Sequence, residues 1–159
     1  MSTALKKLVI PPQMFQRGFW LYVWVVTLRG GRVVHYVGRT GDSSSRFAQS
    51  PVARISGHLG PNARANTLKK HLEIDLSQCE AVEFIAHGPL ESEAKTWGGH
   101  VPRRDRTHAL ERDLCNAMKK AGYEVMNDVT CRLPSEPQAW ELVRAAFAER
   151  FERLAPSAP

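Results

Sequence analysis

The chain has 159 residues, 43% of them hydrophobic, and 22 Lys and Arg against 16 Asp and Glu, for a formal net charge of +6. That is the size and mix of one globular domain able to bury its own core, which excludes a coiled-coil rod, a collagen and a wholly disordered chain. No apolar run is long enough for a membrane helix, Leu8-Val9-Ile10 before Pro11-Pro12 is too short an apolar stretch to serve as a secretory signal, and Cys79, Cys115 and Cys131 are too scattered for a disulfide framework or a zinc ribbon, so a reduced cytoplasmic setting is expected. The positive balance suits a polyanionic partner, of which nucleic acid is the commonest.

Residues 1–17 read as a flexible arm broken by Pro11-Pro12. A strand follows over 19–28, almost wholly apolar, aromatic or β-branched, as expected of a strand covered on both faces. Gly30-Gly31 supplies a two-residue hairpin turn, and 33–38 is the return strand. After a polar loop, Ser50 as N-cap and Pro51 at the first helical position open a helix through Leu59. Val52, Ile55 and Leu59 share one of its faces, and Arg54 and His58, four apart, share another. A second helix is expected over 66–72 and a third strand over 81–86. A short helix over 89–94 and a loop over 97–104 with a basic tip come next. A helix over 105–121 has the apolar stripe Leu110, Leu114, Ala117, Met118 and Ala121, closed by Gly122. A short extended piece covers 123–127. A capping-box pattern at Ser135 opens a last helix over 136–154, with the stripe Trp140, Val143, Phe147, Phe151 and Leu154. These elements describe an α/β domain of α+β type, a small three-stranded antiparallel sheet flanked by helices.

The order of chemistry-bearing residues narrows the function. Trp20-Leu21-Tyr22 lies on the first strand and Tyr36-Val37-Gly38-Arg39-Thr40 at the end of the second; Arg54-Ile55-Ser56-Gly57-His58 lies on the helix, Glu111 on a later helix, and Asn127 sixteen residues beyond it. This ordered set resembles the GIY-YIG nuclease family over residues 18–128. The second tripeptide is a close match, whereas the first keeps only its tyrosine. The resemblance implies the family's compact sheet and hydrolysis of DNA phosphodiesters by an endonuclease; residues 129–159 are an addition beyond that core, expected as a helical extension packed on the same domain.

Each residue type suits that reaction. An arginine fork matches phosphate oxygens and stays charged at any working pH, which makes Arg54 the candidate phosphate ligand. Arg46, ten residues after Tyr36, is the alternative. Arg54 is preferred because Ser50-Pro51 starts a helix before it and His58 follows in register. Tyr22 and Tyr36 are candidates to align or deprotonate the attacking water, with Arg39 and His58 assisting. Mg²⁺ or Mn²⁺ wants oxygen ligands and often takes only one or two carboxylates, so Glu111 is the expected metal ligand. Asn127 would brace the site. Lys69, Lys70, Arg103 and Arg104 could track a phosphate backbone, of DNA rather than RNA.

Taken singly, each of these residues has an ordinary structural reading; their joint order gives them weight. The alternative function is a nucleic-acid-binding module of the same fold without efficient catalysis. A protein partner or homodimer through the last helix is a further possibility that the sequence leaves open.

Overall fold

The computed structural model describes residues 4–42, 46–60, 67–72 and 74–156. Its centre is a three-stranded antiparallel sheet in the order β2-β1-β3, formed by β1 (Gly18–Thr27), β2 (Val33–Arg39) and β3 (Ala81–Ser92). β1 is the middle strand and is buried on both faces, as its unbroken apolar run requires. Its alternation divides two cores. Leu21, Val23 and Val25 point to one face, where they meet α3 (Trp97–Lys120) and α4 (Pro137–Ala148). Tyr22, Trp24 and Val26 point to the other, beside α1 (Pro51–Leu59) and α2 (Thr67–His71).

The hairpin closes through a three-residue connection, Arg29 to Gly31, rather than the two-residue turn expected. Gly31 N–H donates to Leu28 O at 3.0 Å, and both glycines adopt positive φ (+88° and +83°). Ser50 caps α1 as expected, its Oγ accepting from Ala53 N–H at 3.2 Å. The inward face of that helix differs from the sequence reading. His58 is buried, whereas Leu59 is exposed and Val52 and Ile55 border a groove with Leu8 to Pro11 of the N-terminal segment. A 3-10 turn at Pro12–Phe15 lies against α1. Of the arm expected over 1–17, residues 1–3 lie outside the described residues, as does Asn66 of the second helix.

Four expectations in the C-terminal half are corrected. The residues 89–94 are not helical: β3 runs through Pro89 to Ser92, with a register shift opposite Phe19 to Leu21. β3 is an edge strand, where an irregular register tolerates the missing N–H of Pro89. The residues 97–104 are not a loop but the first turns of α3, despite Gly98, Gly99 and Pro102. Thr96 caps this helix through a 3.1 Å bond from Gly99 N–H, and fully buried His100 anchors it through a 3.0 Å contact with Arg46 O. The last helix ends at Ala148 rather than continuing to 154. Phe151 and Leu154 still enter the core, but from an irregular turn and a 3-10 segment, with the Phe151 ring against Tyr123 and Phe147. The capping box at Ser135 is absent, because the Ser135 hydroxyl donates to Asp113 instead. Gly122 does close α3: its N–H bonds Lys119 O and that of Tyr123 bonds Met118 O, both at 3.0 Å.

The extended piece after α3 runs parallel to β2. His35 N–H donates to Glu124 O and Met126 N–H to His35 O, each at 2.8 Å. It sets Asn127 against the edge of the sheet.

Candidate active site

The site lies where β2 ends beside β1, and it uses both faces of the sheet. Tyr22 stands opposite Gly38 in the β1–β2 register. A Cβ at Gly38 would lie within the van der Waals envelope of the Tyr22 hydroxyl, so the glycine of Tyr36-Val37-Gly38 is what lets that ring cross β2. Phe84 stacks on the Tyr22 ring at 5.0 Å between centroids.

Helix α1 brings two partners to the Tyr22 oxygen. Arg54 Nε donates to it at 3.2 Å, and His58 Nε2 lies 3.0 Å away. The spacing of four that puts Arg54 and His58 on one helical face is therefore used as the sequence suggests. Tyr36 joins the same cluster, its ring 5.7 Å from that of His58 and 5.7 Å from that of His71 on α2. Burial pushes the Tyr22 phenol above its ordinary pKa, against the pull of Arg54. Burial also pushes the His58 imidazole down to about 4, with the Arg54 charge acting the same way. His58 is thus neutral at pH 7. In its Nδ1–H tautomer it accepts the Tyr22 hydroxyl hydrogen, which gives a directed chain from Arg54 through Tyr22 to His58.

Asp42 is a member of the site that sequence reading missed. Its carboxylate forms an ion pair with Arg54, and Gln49 Oε1 accepts from the same guanidinium at 3.4 Å. Burial opposes the charge on Arg54, but Tyr22 and Asp42 outweigh it and hold the guanidinium above its ordinary pKa. Asp42 is held in place by the turn after β2. Buried Thr40 Oγ1 accepts from Trp20 N–H at 2.9 Å and donates to Gly18 O at 2.6 Å, and Gly41 turns at φ +78° over the Phe19 ring. A lone aspartate in a Ser- and Gly-rich loop carries no signal of that role.

On the opposite face, Arg39 at the end of β2 meets Glu111 on α3, with Arg39 Nε 2.9 Å from Glu111 Oε2 and both side chains 12% exposed. Arg39 Nη1 is buried without a hydrogen-bond partner among the described residues. Burial pushes the Glu111 carboxyl up to about 7; Arg39 pulls it down and Asp42 pushes it up. Arg54 also pulls the Glu111 carboxyl down, so the charges of the α1 side are felt across the end of β2. Asn127 braces this end: its Oδ1 accepts from Val37 N–H at 3.0 Å and its Nδ2 donates to Val37 O at 2.8 Å. It completes the hydrogen bonding of β2 as another strand would.

The remaining sequence candidates lie elsewhere. Arg46, the alternative arginine, donates to Lys95 O and covers the Phe47 ring, whereas Arg54 alone of the two touches Tyr22. Lys69 on α2 donates to Gly60 O at 3.2 Å, and Lys70 beside it is exposed. Arg103 bonds Ser92 O at 2.6 Å and Arg104 pairs with Asp105 at 2.9 Å, both on the first turns of α3.

Among the described residues no group of three or more His, Cys, Asp or Glu is gathered for a metal. A site for Mg²⁺ needs fewer protein ligands, because that ion keeps most of its waters. Glu111 fits as a hard oxygen donor whose burial leaves its charge undercompensated, with Asp42 near enough to add negative potential. No helix among the described residues is long and apolar enough to cross a membrane. Comparison with protein-family models, curated proteins and solved structures finds no match to this chain.

Proposed function

We propose that the chain is a divalent-metal-dependent endonuclease of the GIY-YIG type, hydrolysing phosphodiester bonds of DNA. The observation that carries this reading is the Tyr22 oxygen, held between Arg54 Nε at 3.2 Å and His58 Nε2 at 3.0 Å. A buried hydroxyl linked to a phosphate-binding cation on one side and to a neutral imidazole on the other is suited to move a proton beside a phosphate. The buried Arg39–Glu111 pair at the same sheet end supplies a second cation and a carboxylate.

In this mechanism a phosphate takes the place of Asp42 at Arg54, while Arg39, paired with Glu111, adds positive potential from the opposite face of the sheet. Water attacks phosphorus while its proton passes to the Tyr22 oxygen and the Tyr22 hydrogen passes to His58 Nε2. The raised pKa of Tyr22 favours this relay over a standing phenolate. Tyr36, against His58, helps to align the water. Glu111 would hold Mg²⁺ or Mn²⁺, which when bound polarises the phosphate and stabilises the departing oxygen.

The test is cleavage of supercoiled plasmid with Mg²⁺, Mn²⁺ or EDTA, for the wild type beside Glu111→Ala. Nicking that needs the metal and disappears in the variant, whose fold is retained by circular dichroism, is expected. Undiminished nicking by Glu111→Ala would refute the mechanism, and DNA binding without cleavage under any metal would favour the binding-only module.

A further inference from the structure

Two large aromatic side chains stand exposed near the site without serving either core: Phe47 is 47% and Trp97 45% exposed. Both are flanked by arginines. Arg46 lies 4.8 Å and Arg17 5.5 Å from the Phe47 ring centre, and Arg104 lies 5.7 Å from that of Trp97. The two aromatics belong to one surface. The Trp97 ring stacks on His100 at 5.3 Å and 12°, and His100 Nδ1 meets Arg46 O at 3.0 Å. Arg46 reaches across to Lys95 O, and Arg17 Nε donates to Ala48 O at 3.1 Å. Glu93 offsets Arg17 and Asp105 offsets Arg104, but Arg46 and Lys95 have no carboxylate partner among the described residues. The surface is therefore positive. It is also tied to the proposed active site, because Gln49, two residues after Phe47, touches Arg54.

Aromatic rings interleaved with cations make a surface with a definite preference. The bases of a duplex are stacked on each other and offer it only their phosphates, whereas unpaired bases can stack on its rings. We infer that Phe47 and Trp97 form a base-stacking platform that seats unpaired nucleotides beside the cleavage centre, so that the preferred substrate is DNA carrying a single-stranded segment. This rests on the reading that DNA is the substrate and names the part of the DNA that is recognised.

The experiment measures binding in EDTA, so that it does not depend on cleavage. The full chain is titrated into a fluorescein-labelled duplex with a single-stranded tail of about ten nucleotides, and into the blunt duplex alone. The wild type is expected to bind the tailed DNA more tightly. Replacing both aromatics (Phe47→Ala with Trp97→Ala) should weaken tailed binding by at least about tenfold and leave blunt binding within about twofold. The Phe47→Tyr, Trp97→Tyr pair, which keeps the rings, should retain most of the preference and guards against misfolding as the cause. Equal wild-type affinity for the two DNAs, or an equal loss on both in the alanine variant, would overturn the platform. Plasmid cleavage, assayed separately, distinguishes this failure from that of the nuclease reading: a chain that nicks plasmid yet shows no tail preference remains a nuclease without the platform.

Discussion

The two faces of β1 are built from alternate residues of one strand and hold different contents. Leu21, Val23 and Val25 meet Leu110, Leu114 and Met118 of α3 in an aliphatic core with Phe147 and Phe151 behind. Tyr22, Trp24 and Val26 meet a thinner layer that includes buried His58 and the partly covered Arg54. The first face is filled chiefly by apolar side chains, with His35 as a buried polar group bonded to Glu124 O. The second must satisfy hydroxyl, imidazole and guanidinium groups at its edge, and there Tyr22, His58 and Arg54 satisfy one another. On the proposed function, one face would chiefly supply stability and the other reactivity, with the Arg39–Glu111 pair as the point where α3 would serve both.

Substitutions on the two faces should therefore separate stability from cleavage. The largest expected effect is on the α1 face. Arg54→Ala should lower the cleavage rate by about 10²–10³-fold, the size typical of losing a preorganised electrostatic group, with little change in thermal midpoint. On the α3 face the pattern should reverse. Leu114→Ala, at a fully buried position, should cost about 2–5 kcal/mol in urea unfolding while the rate per folded molecule stays near wild type. A smaller effect is expected from pH. His58 titrates near 6.5 when unfolded and near 4 when folded, so between those values the unfolded chain binds the extra proton. Its contribution is full above pH 6.5 and is lost as pH falls toward 4, at most about 3 kcal/mol. His58→Gln should flatten that part of the stability–pH curve by one proton's share, while His35, His87 and His108, also held below their ordinary pKa by burial, keep theirs.

The difference between the faces also explains what could be read from the chain. Periodicity reports burial, so β1, β2 and the Leu110–Met118 stripe were legible; α1 was legible from its Ser50-Pro51 start, though not its buried face, and so was the shared face of Arg54 and His58. Local breakers misled where tertiary contacts outweigh propensity. Gly98, Gly99 and Pro102 argue for a loop, yet burial of His100 and the Thr96 cap hold a helix there. Pro89 argues against a strand, yet an edge position accepts it. The stop of α4 at Ala148 carries no glycine or proline signal; it is set by where Phe151 finds its ring partners. Asp42 was illegible because its role depends on the Thr40 latch and the turn at Gly41, which bring a loop carboxylate onto an arginine twelve residues away.

The central claim concerns one oxygen atom, and Tyr22→Phe removes that atom while keeping the ring that packs on Phe84. The direct measurement is the single-turnover rate of DNA cleavage in Mg²⁺ by this variant, with its thermal midpoint and DNA affinity recorded alongside. The account predicts a rate lower by about 10²-fold or more, as for loss of a general acid–base group, with folding and binding nearly unchanged. Cleavage at the wild-type rate would show that the Arg54–Tyr22–His58 chain does not carry the reaction.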